Sequence, residues 1–296
     1  MITTLKPALD RLYLEYELGR PVDDPVQFIS RYEDSGDREI VGFLAAGLAF
    51  GRVASVMQSV ERVLAVMGRS PATFVREFDP RRDARAMDGL VHRWTRGADF
   101  VALMIVLRHV LLDAGSLEQF FAQGLATHAA DVTEALESFA VRAGRMDVRS
   151  AYGGPDVRQG VRYFFPKPSS GSACKRLNLF LRWMVRRDAI DPGGWSAVRP
   201  SQLVIPLDTH VIRVGRCLGL TRYASPGWRM AADITASLRR IDPDDPVKYD
   251  FALCHLGMSG ACRFNQPRRV SSCPLDGVCR PAPRRRRASR APSARE

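Results

Sequence analysis

The sequence predicts an all-α protein, and three observations support this fold class. Nearly every periodic segment places apolar residues three or four positions apart, which is the spacing of one face of an α-helix. No segment alternates apolar and polar residues convincingly enough to predict a ladder of strands. The chain has 296 residues, of which 46% are hydrophobic and 26% charged. This is enough for one large domain or two modest ones with a proper core.

Six helices are expected before residue 150 and four after it. Between the two groups the chain becomes rich in glycine, proline and serine, as in AYGGPDVRQG and FFPKPSSGSA. We therefore expect two helical subdomains with a cleft between them, and a loop over residues 150–174 that lines the cleft. The expected helices lie at 3–18, 39–51, 54–67, 99–115, 116–129 and 131–144, and then at 174–188, 208–220, 228–242 and 245–257.

The composition argues against a membrane protein. The longest apolar runs, such as FVALMIVL at 100–107, are too short to cross a bilayer. The first 19 residues are amphipathic and lack the apolar centre of a signal peptide. We therefore expect a cytoplasmic protein without a membrane partner. In that compartment its six cysteines would be free or metal-bound rather than paired.

The net charge of +12 is divided between the body of the chain and a basic tail. Residues 280–296 contain seven arginines and one glutamate without apolar periodicity, so this tail is expected to be disordered. A basic tail is suited to neutralising nucleic-acid phosphates. A tail that only improves solubility has the same composition, and both interpretations remain open.

Lysine is rare in this chain, and one lysine stands at a conspicuous place. Only four of the 44 basic residues are lysines, and Lys175 follows the small-residue turn PSSGS at the start of an apolar helix. Backbone amides of Gly171, Ser172 and Ala173 at such a turn could bind a phosphate. A lysine can lose its proton and attack a sugar carbon, whereas an arginine cannot. The alternative is an ordinary lysine on the surface of an amphipathic helix.

Asp208 is predicted to begin the helix that follows Pro206. As the N-cap residue it would accept hydrogen bonds from backbone amides, which keep a carboxylate ionised. An anion held there could stabilise a developing cation or orient a nucleophile. The simpler alternative is that Asp208 does no more than cap its helix.

These two stretches together resemble the helix-hairpin-helix DNA glycosylase superfamily. The segment KRLNLFLRWM is followed, 33 positions after Lys175, by Asp208 in LDTHVIRVGRCLGL. This spacing is nearer the archaeal 8-oxoguanine glycosylase branch than endonuclease III itself. Over roughly residues 4–280, through stretches such as KYDFALCHLG, the chain also resembles a bacterial family of unassigned function placed near those glycosylases. The resemblance implies a fold of that type, with Lys175 as the Schiff-base nucleophile and Asp208 as the residue that stabilises the sugar cation.

The activity implied by the resemblance is excision of a damaged purine, such as 8-oxoguanine, from double-stranded DNA at the nucleoid, with or without cleavage of the abasic site. The target base must leave the stack for this chemistry, so a pocket with aromatic walls is expected. Candidate walls are Phe164, Phe165, Trp183 and Trp195. Candidate nucleic-acid contacts are Arg52, Gly171, Ser172, Arg176, His210 and Arg213.

The C-terminal cysteines suggest a metal site over residues 254–279. Some glycosylases of this superfamily end in four cysteines that hold a [4Fe–4S] cluster, with the last three spaced C-x2-C-x5-C. Here Cys273 and Cys279 keep the second spacing, while Val270 stands where a ligand is expected. His255 is a further possible ligand of such a cluster. Zinc bound by the same set and buried thiols without metal are the alternatives. The candidate ligands are Cys254, Cys262, Cys273 and Cys279, whereas Cys174 and Cys217 are expected in the core.

Two departures from the glycosylase pattern support other functions. No L-P-G-[VI]-G turn precedes Lys175, since the nearest glycine pair is Gly193-Gly194, and Val270 replaces an expected ligand. A non-catalytic nucleic-acid-binding protein of the same fold would tolerate both changes. An enzyme that uses the same pocket on a free nucleoside or nucleotide is the third interpretation.

Overall fold

The computed structural model describes residues 2–18, 24–152, 160–261 and 273–279. Over these ranges the chain is built from helices and 3₁₀ turns and has no strand, which confirms the all-α prediction. None of the helices in the same ranges is both long and apolar enough to cross a membrane. The helices are α1 (Ile2–Leu18), α2 (Ser35–Leu48), α3 (Val53–Met67), α4 (Pro71–Glu77), α5 (Pro80–Asp83), α6 (Gly97–Ala114), α7 (Leu117–Ala122), α8 (Thr133–Gly144), α9 (Lys175–Val185), α10 (Thr209–Cys217), α11 (Trp228–Arg239) and α12 (Asp250–Met258).

Short polar side chains begin several of these helices by accepting amide hydrogen bonds. The Asp34 carboxylate accepts from the amide of Asp37 at the start of α2. Ser116 accepts from the amide of Gln119 at the start of α7. Such caps satisfy amides that have no partner within the helix.

Helices α2 and α6 occupy the centre of the structure. Every residue from Glu39 to Leu48 in α2 is buried, as is every residue from Asp99 to Leu107 in α6. A helix that is apolar around most of its circumference must be covered on all sides. The buried apolar side chains of the described residues form one core, which includes Leu5 in α1 and Leu275 near the C-terminal end of that part of the chain.

Buried ion pairs fix α9 to the C-terminal part of the fold. The Arg182 guanidinium donates to the carboxylates of Asp191 and Asp250. One turn later, Arg186 donates to Asp191 and to the neighbouring carboxylates of Asp188 and Asp245. Each guanidinium therefore has carboxylates on two or more sides, which buried cations require. These contacts set the position of α9 relative to α12.

Several sequence-based boundaries differ from the structure. The last helix, expected at 245–257, begins at Asp250 and ends at Met258, so Cys254 lies within it. The 150–174 segment contains 3₁₀ turns at 160–164 and 168–170, while 153–159 fall outside the described residues. Cys262, Val270 and the 280–296 tail also lie outside them.

Candidate functional site

A cavity of about 580 Å³ lies among six parts of the chain. Its wall is formed by the 3₁₀ turn that begins at Pro25, the connection between α2 and α3, Pro226, and residues of α9, α12 and α10 with the segment just before it. Pockets for small ligands usually have volumes of this size. Both predicted catalytic residues, Lys175 and Asp208, line this cavity, although 33 positions separate them in the chain.

Lys175 is the first residue of α9, and the backbone before it is strained. Cys174 caps the helix with φ 49° and ψ 32°, a left-handed conformation that is unfavourable for a residue other than glycine. The Lys175 Nζ donates to the Ala49 carbonyl at 3.2 Å. Among the described residues no carboxylate lies within 4.0 Å of this amine. By contrast, Lys6 pairs with Asp10 and Lys248 with Asp242.

Asp208 is held in place by both of its carboxylate oxygens. As predicted, it caps α10, since Oδ1 accepts from the amides of His210 at 2.8 Å and Val211 at 2.7 Å. The Cys254 thiol of α12 donates to Oδ2 at 3.0 Å. A carboxylate with three such donors has one orientation, and it faces the same cavity as the Lys175 amine. Lys175 and Asp208 thus share a cavity whose volume suits a small ligand.

Cys254 lies at the cavity, where its thiol donates to Asp208. Burial raises the pKa of this thiol well above the usual range, and the charge of Asp208 adds to this effect. A cluster ligand must be a thiolate, so Cys254 would have to lose its proton and this hydrogen bond in order to bind a metal. Its role as a metal ligand stays a prediction.

The other predicted metal ligands remain untested. Cys273 and Cys279 are half-buried and pack against the core. Within the described ranges, no group of three or more histidine, cysteine or acidic side chains is arranged to hold a metal ion. Because Cys262 lies outside those ranges, a [4Fe–4S] or zinc site stays a prediction.

Three residues that line the cavity each have a buried polar atom without a hydrogen-bond partner among the described residues. These atoms are the Nε1 of Trp183, the Nδ1 of His210 and the Oδ1 of Asp250. The indole nitrogen can only donate, an ionised carboxylate can only accept, and the imidazole nitrogen can do either. A buried polar group without a partner destabilises the fold. Unsatisfied donors and acceptors are therefore found in residues of the cavity wall.

Asp250 has the most perturbed carboxylate of the cavity. Only 2% of the residue is exposed. Burial raises the pKa of this carboxyl to about 7, and the charge of Asp208 adds to the rise against the opposing attraction of Arg182. Near neutral pH the group can therefore either accept or donate a hydrogen bond. The sequence analysis missed Asp250, whose signal was an acidic residue in the first turn of an otherwise apolar helix.

Aromatic residues cover part of the cavity wall, but only one of them was predicted. Trp183 lines the cavity, as do Phe50 and Phe251, which the sequence analysis missed. Phe164 and Phe165 are buried in the core instead.

Trp195 is also buried in the core rather than placed at the cavity. Its indole Nε1 donates to Glu39 at 2.8 Å, and its ring packs edge-on against Phe180.

Two of the predicted nucleic-acid contacts are used inside the protein, which corrects the sequence-based interpretation. The Gly171 amide donates to the Pro168 carbonyl at 2.9 Å and closes a turn, so it does not point outward. The Arg176 guanidinium donates to the carbonyls of Gly47 and Tyr163. Burial lowers the pKa of Arg176 to about 10. Neither group is free to bind a phosphate.

The remaining predicted contacts have different surroundings. Arg52 is exposed between Gly51 and Val53, which both line the cavity, and Arg213 is exposed on α10. His210 lines the cavity itself. The Ser172 hydroxyl accepts from the Cys174 amide at 3.2 Å, so it supports the turn before α9.

Comparison with known proteins identifies a family but no activity. The model of a family described as "Protein of unknown function (DUF2400)" matches residues 24–259. This range includes the whole described wall of the cavity. No curated protein and no solved structure gives a significant match to the chain.

Proposed function

We propose that this chain, which belongs to the DUF2400 family of proteins of unknown function, is a DNA glycosylase of the helix-hairpin-helix type. Under this proposal it removes a damaged purine, such as 8-oxoguanine, from double-stranded DNA at the nucleoid in the cytoplasm. The cavity would then be the cleft between two helical subdomains. The observation that carries the proposal is the meeting of the Lys175 amine and the fixed Asp208 carboxylate in one cavity.

The chemistry needs a nucleophile without a competing partner. The Lys175 amine contacts a carbonyl rather than a carboxylate, so no ion pair has to break before it approaches a sugar. Once the ammonium group has released a proton to solvent, its nitrogen lone pair would form the bond to C1′ while the bond from C1′ to the base breaks, and the base would leave with a second proton from the same nitrogen. Opening of the sugar ring then gives an imine, from which cleavage of the abasic site could follow.

Asp208 supports this reaction electrostatically. Positive charge develops on the sugar as the base leaves, and a carboxylate held by two amides and a thiol needs no reorientation to face it. Trp183, His210 and Asp250 line the cavity, and their buried polar atoms, which lack partners, would have to turn toward an extruded base to bind its donors and acceptors.

Borohydride trapping on a duplex with one abasic site tests the proposal without knowledge of the lesion. We expect a covalent adduct with the wild type, none with Lys175→Ala, and none with Lys175→Arg, which keeps the charge but not the nucleophile. Lys167→Ala is the matched control, because Lys167 lies in the preceding turn but not at the cavity, and its adduct should match the wild type.

The absence of an adduct in every protein, at concentrations where binding to the duplex is measurable, would refute the amine chemistry. The non-catalytic binding protein would then become the leading interpretation. An adduct that persists in both Lys175 variants would assign the nucleophile to another residue.

An enzyme for free nucleosides or nucleotides is the second candidate. The observation that favours it concerns Gly171 and Arg176, which were predicted to contact DNA phosphates. Their donors bind carbonyls of the protein instead, so two of the predicted DNA contacts are missing. Such an enzyme would release base from a nucleoside in a Lys175- or Asp208-dependent manner and would be indifferent to added duplex DNA. Competition by duplex DNA for nucleoside turnover therefore separates the two candidates.

A further inference from the structure

A tight turn next to the cavity presents an exposed tryptophan. The side chain of Trp94 is 53% exposed, whereas Trp183 and Trp195 are buried. A single exposed apolar residue is ordinary, so the exposure alone carries no conclusion. The surroundings of Trp94 are what distinguish it from a neutral surface position.

The turn is held rigidly by its flanking residues. His92 and Thr95 exchange backbone hydrogen bonds of 3.0 and 2.9 Å across it. The buried His92 ring contacts the Ser59 hydroxyl at 2.8 Å and the Phe50 carbonyl at 3.2 Å. Arg93 at the tip has a φ of 58°, in the left-handed region. Because these hydrogen bonds hold both ends of the turn, its strained tip is preorganised rather than mobile.

The exposed indole continues the wall of the cavity outward. The Trp94 ring stacks on Phe50 with a centroid distance of 4.7 Å and an angle of 22°. Phe50 and the adjacent Gly51 both line the cavity. The Arg93 guanidinium lies so close to Gly51 that a Cβ there would be 3.0 Å from its Nε. The turn therefore lies directly beside two residues of the cavity wall.

Two cations flank this aromatic surface. Arg52 and Arg93 are both exposed. In the described part of the chain neither of them forms an ion pair. A stacking surface between unpaired cations matches an unstacked base and the phosphates on either side of it.

We propose that Trp94, stacked on Phe50, holds a base adjacent to the nucleotide in the cavity, while Arg52 and Arg93 contact the flanking phosphates. The inference rests on the proposed function, because it needs a nucleotide in the cavity. An aromatic face stacks on any base, so this surface takes an opened or single strand without regard to its sequence. The intact duplex offers no free base face there.

The test measures binding of a labelled single-stranded oligodeoxynucleotide and of the abasic duplex by fluorescence anisotropy. Trp94→Ala should weaken binding to the single strand roughly five- to 150-fold, while Trp94→Phe should retain most of the affinity. Leu112→Ala is the matched control, because Leu112 is 60% exposed on α6, and its affinity should equal that of the wild type.

The arginines are tested through the salt dependence of the same binding. Arg93→Gln should make the plot of log affinity against log salt concentration less steep, by about the amount that one phosphate contact contributes to its slope. Arg145→Gln, which removes an exposed arginine just after α8, should leave the slope unchanged. Thermal unfolding of each variant checks that the turn has not simply lost its fold.

The outcomes separate this inference from the proposed function. Equal affinity of Trp94→Ala and Leu112→Ala would refute the stacking surface, even if Lys175 forms its adduct. If Trp94→Ala loses binding and the wild type forms no adduct with the abasic duplex, the stacking surface is retained and the glycosylase is refuted. A wild type that binds neither probe at low salt would refute both, and a protein partner would be sought for Trp94.

Discussion

At the scale of single residues, Lys175 and Asp208 are positioned by the backbone rather than by each other. Lys175 follows a left-handed Cys174, and its amine reaches the carbonyl of Ala49 at the end of α2. Asp208 is fixed by the amides of its own helix and by the Cys254 thiol. Since the lysine and the aspartate do not neutralise each other, both charges remain available to a ligand.

Substitution of Asp208 by asparagine separates its charge from its capping role. Asparagine caps helices about as well as aspartate, so the thermal midpoint of Asp208→Asn should stay near that of the wild type. The rate at which 8-oxoguanine is released from a duplex that still carries it should fall by roughly two or more orders of magnitude, because the cation that develops as the base leaves loses its counter-charge.

Asp233→Asn is the matched control for this experiment. The Asp233 carboxylate accepts from the Thr221 hydroxyl and the Arg222 amide, away from the cavity. This variant should react at the wild-type rate. Retention of full activity in Asp208→Asn would show that Asp208 is a helix cap and nothing more.

The sequence could reveal only those site residues that carry a local pattern. Lys175 was conspicuous because it followed a small-residue turn, and Asp208 because it stood at a helix start. Phe50 and Asp250 lie in unremarkable apolar segments and reach the cavity only through packing. Arg176 was misjudged because nothing local showed that its guanidinium would meet carbonyls 13 and 129 positions away.

At the scale of elements, α10 and α12 pack with no room between them at one point. A Cβ on Gly257 of α12 would lie 2.6 Å from the Cβ of His210 on α10. Both helices line the cavity, so their separation sets the distance between Asp208 and the residues of α12.

Gly257→Ala should force the two helices apart. We expect a loss of about 1–3 kcal/mol in the free energy of unfolding, as for other overpacked sites, together with a slower Lys175 adduct. Gly144→Ala in α8 is the control, because no atom lies within 4 Å of its added Cβ. Chemical denaturation measures both variants, and equal stability of the two would contradict the tight contact.

Helix positions were predictable, but several boundaries were not. Apolar periodicity located α3, α6 and α8 closely. The helix expected at 116–129 ends at Ala122, and at Gly124 an added Cβ would lie 2.7 Å from Ser138 of α8. Such a close approach depends on tertiary packing, which periodicity does not report.

At the scale of the whole molecule, buried carboxylates with raised pKa values make stability depend on pH. Asp250 has a pKa of about 7 in the folded protein, against 3.8 as its ordinary value. Between these two values the folded chain keeps a proton that the unfolded chain releases. The stabilisation from this proton is complete below about pH 4 and is lost as the pH rises through about 7.

Asp250→Asn should remove this part of the pH dependence. Thermal midpoints measured from about pH 4 to about pH 7 should show the wild type losing stability relative to the variant as the pH rises. Asp147→Asn is the control, since the pKa of Asp147 is about 2 in the folded protein against an ordinary value of 3.8, so above about pH 5 this carboxylate is ionised in the folded and the unfolded chain alike. A constant difference between wild type and Asp250→Asn would contradict the raised pKa.

The ion-pair network around α9 also affects how charge is distributed in the molecule. It holds two arginines and four aspartates side by side and largely out of contact with solvent. Neighbouring charges of opposite sign cancel over a short distance, so the network adds little field of its own at the surface. A polyanion is therefore attracted by the net charge of +12 as a whole, and this attraction weakens beyond a Debye length, about 10 Å at 0.1 M salt.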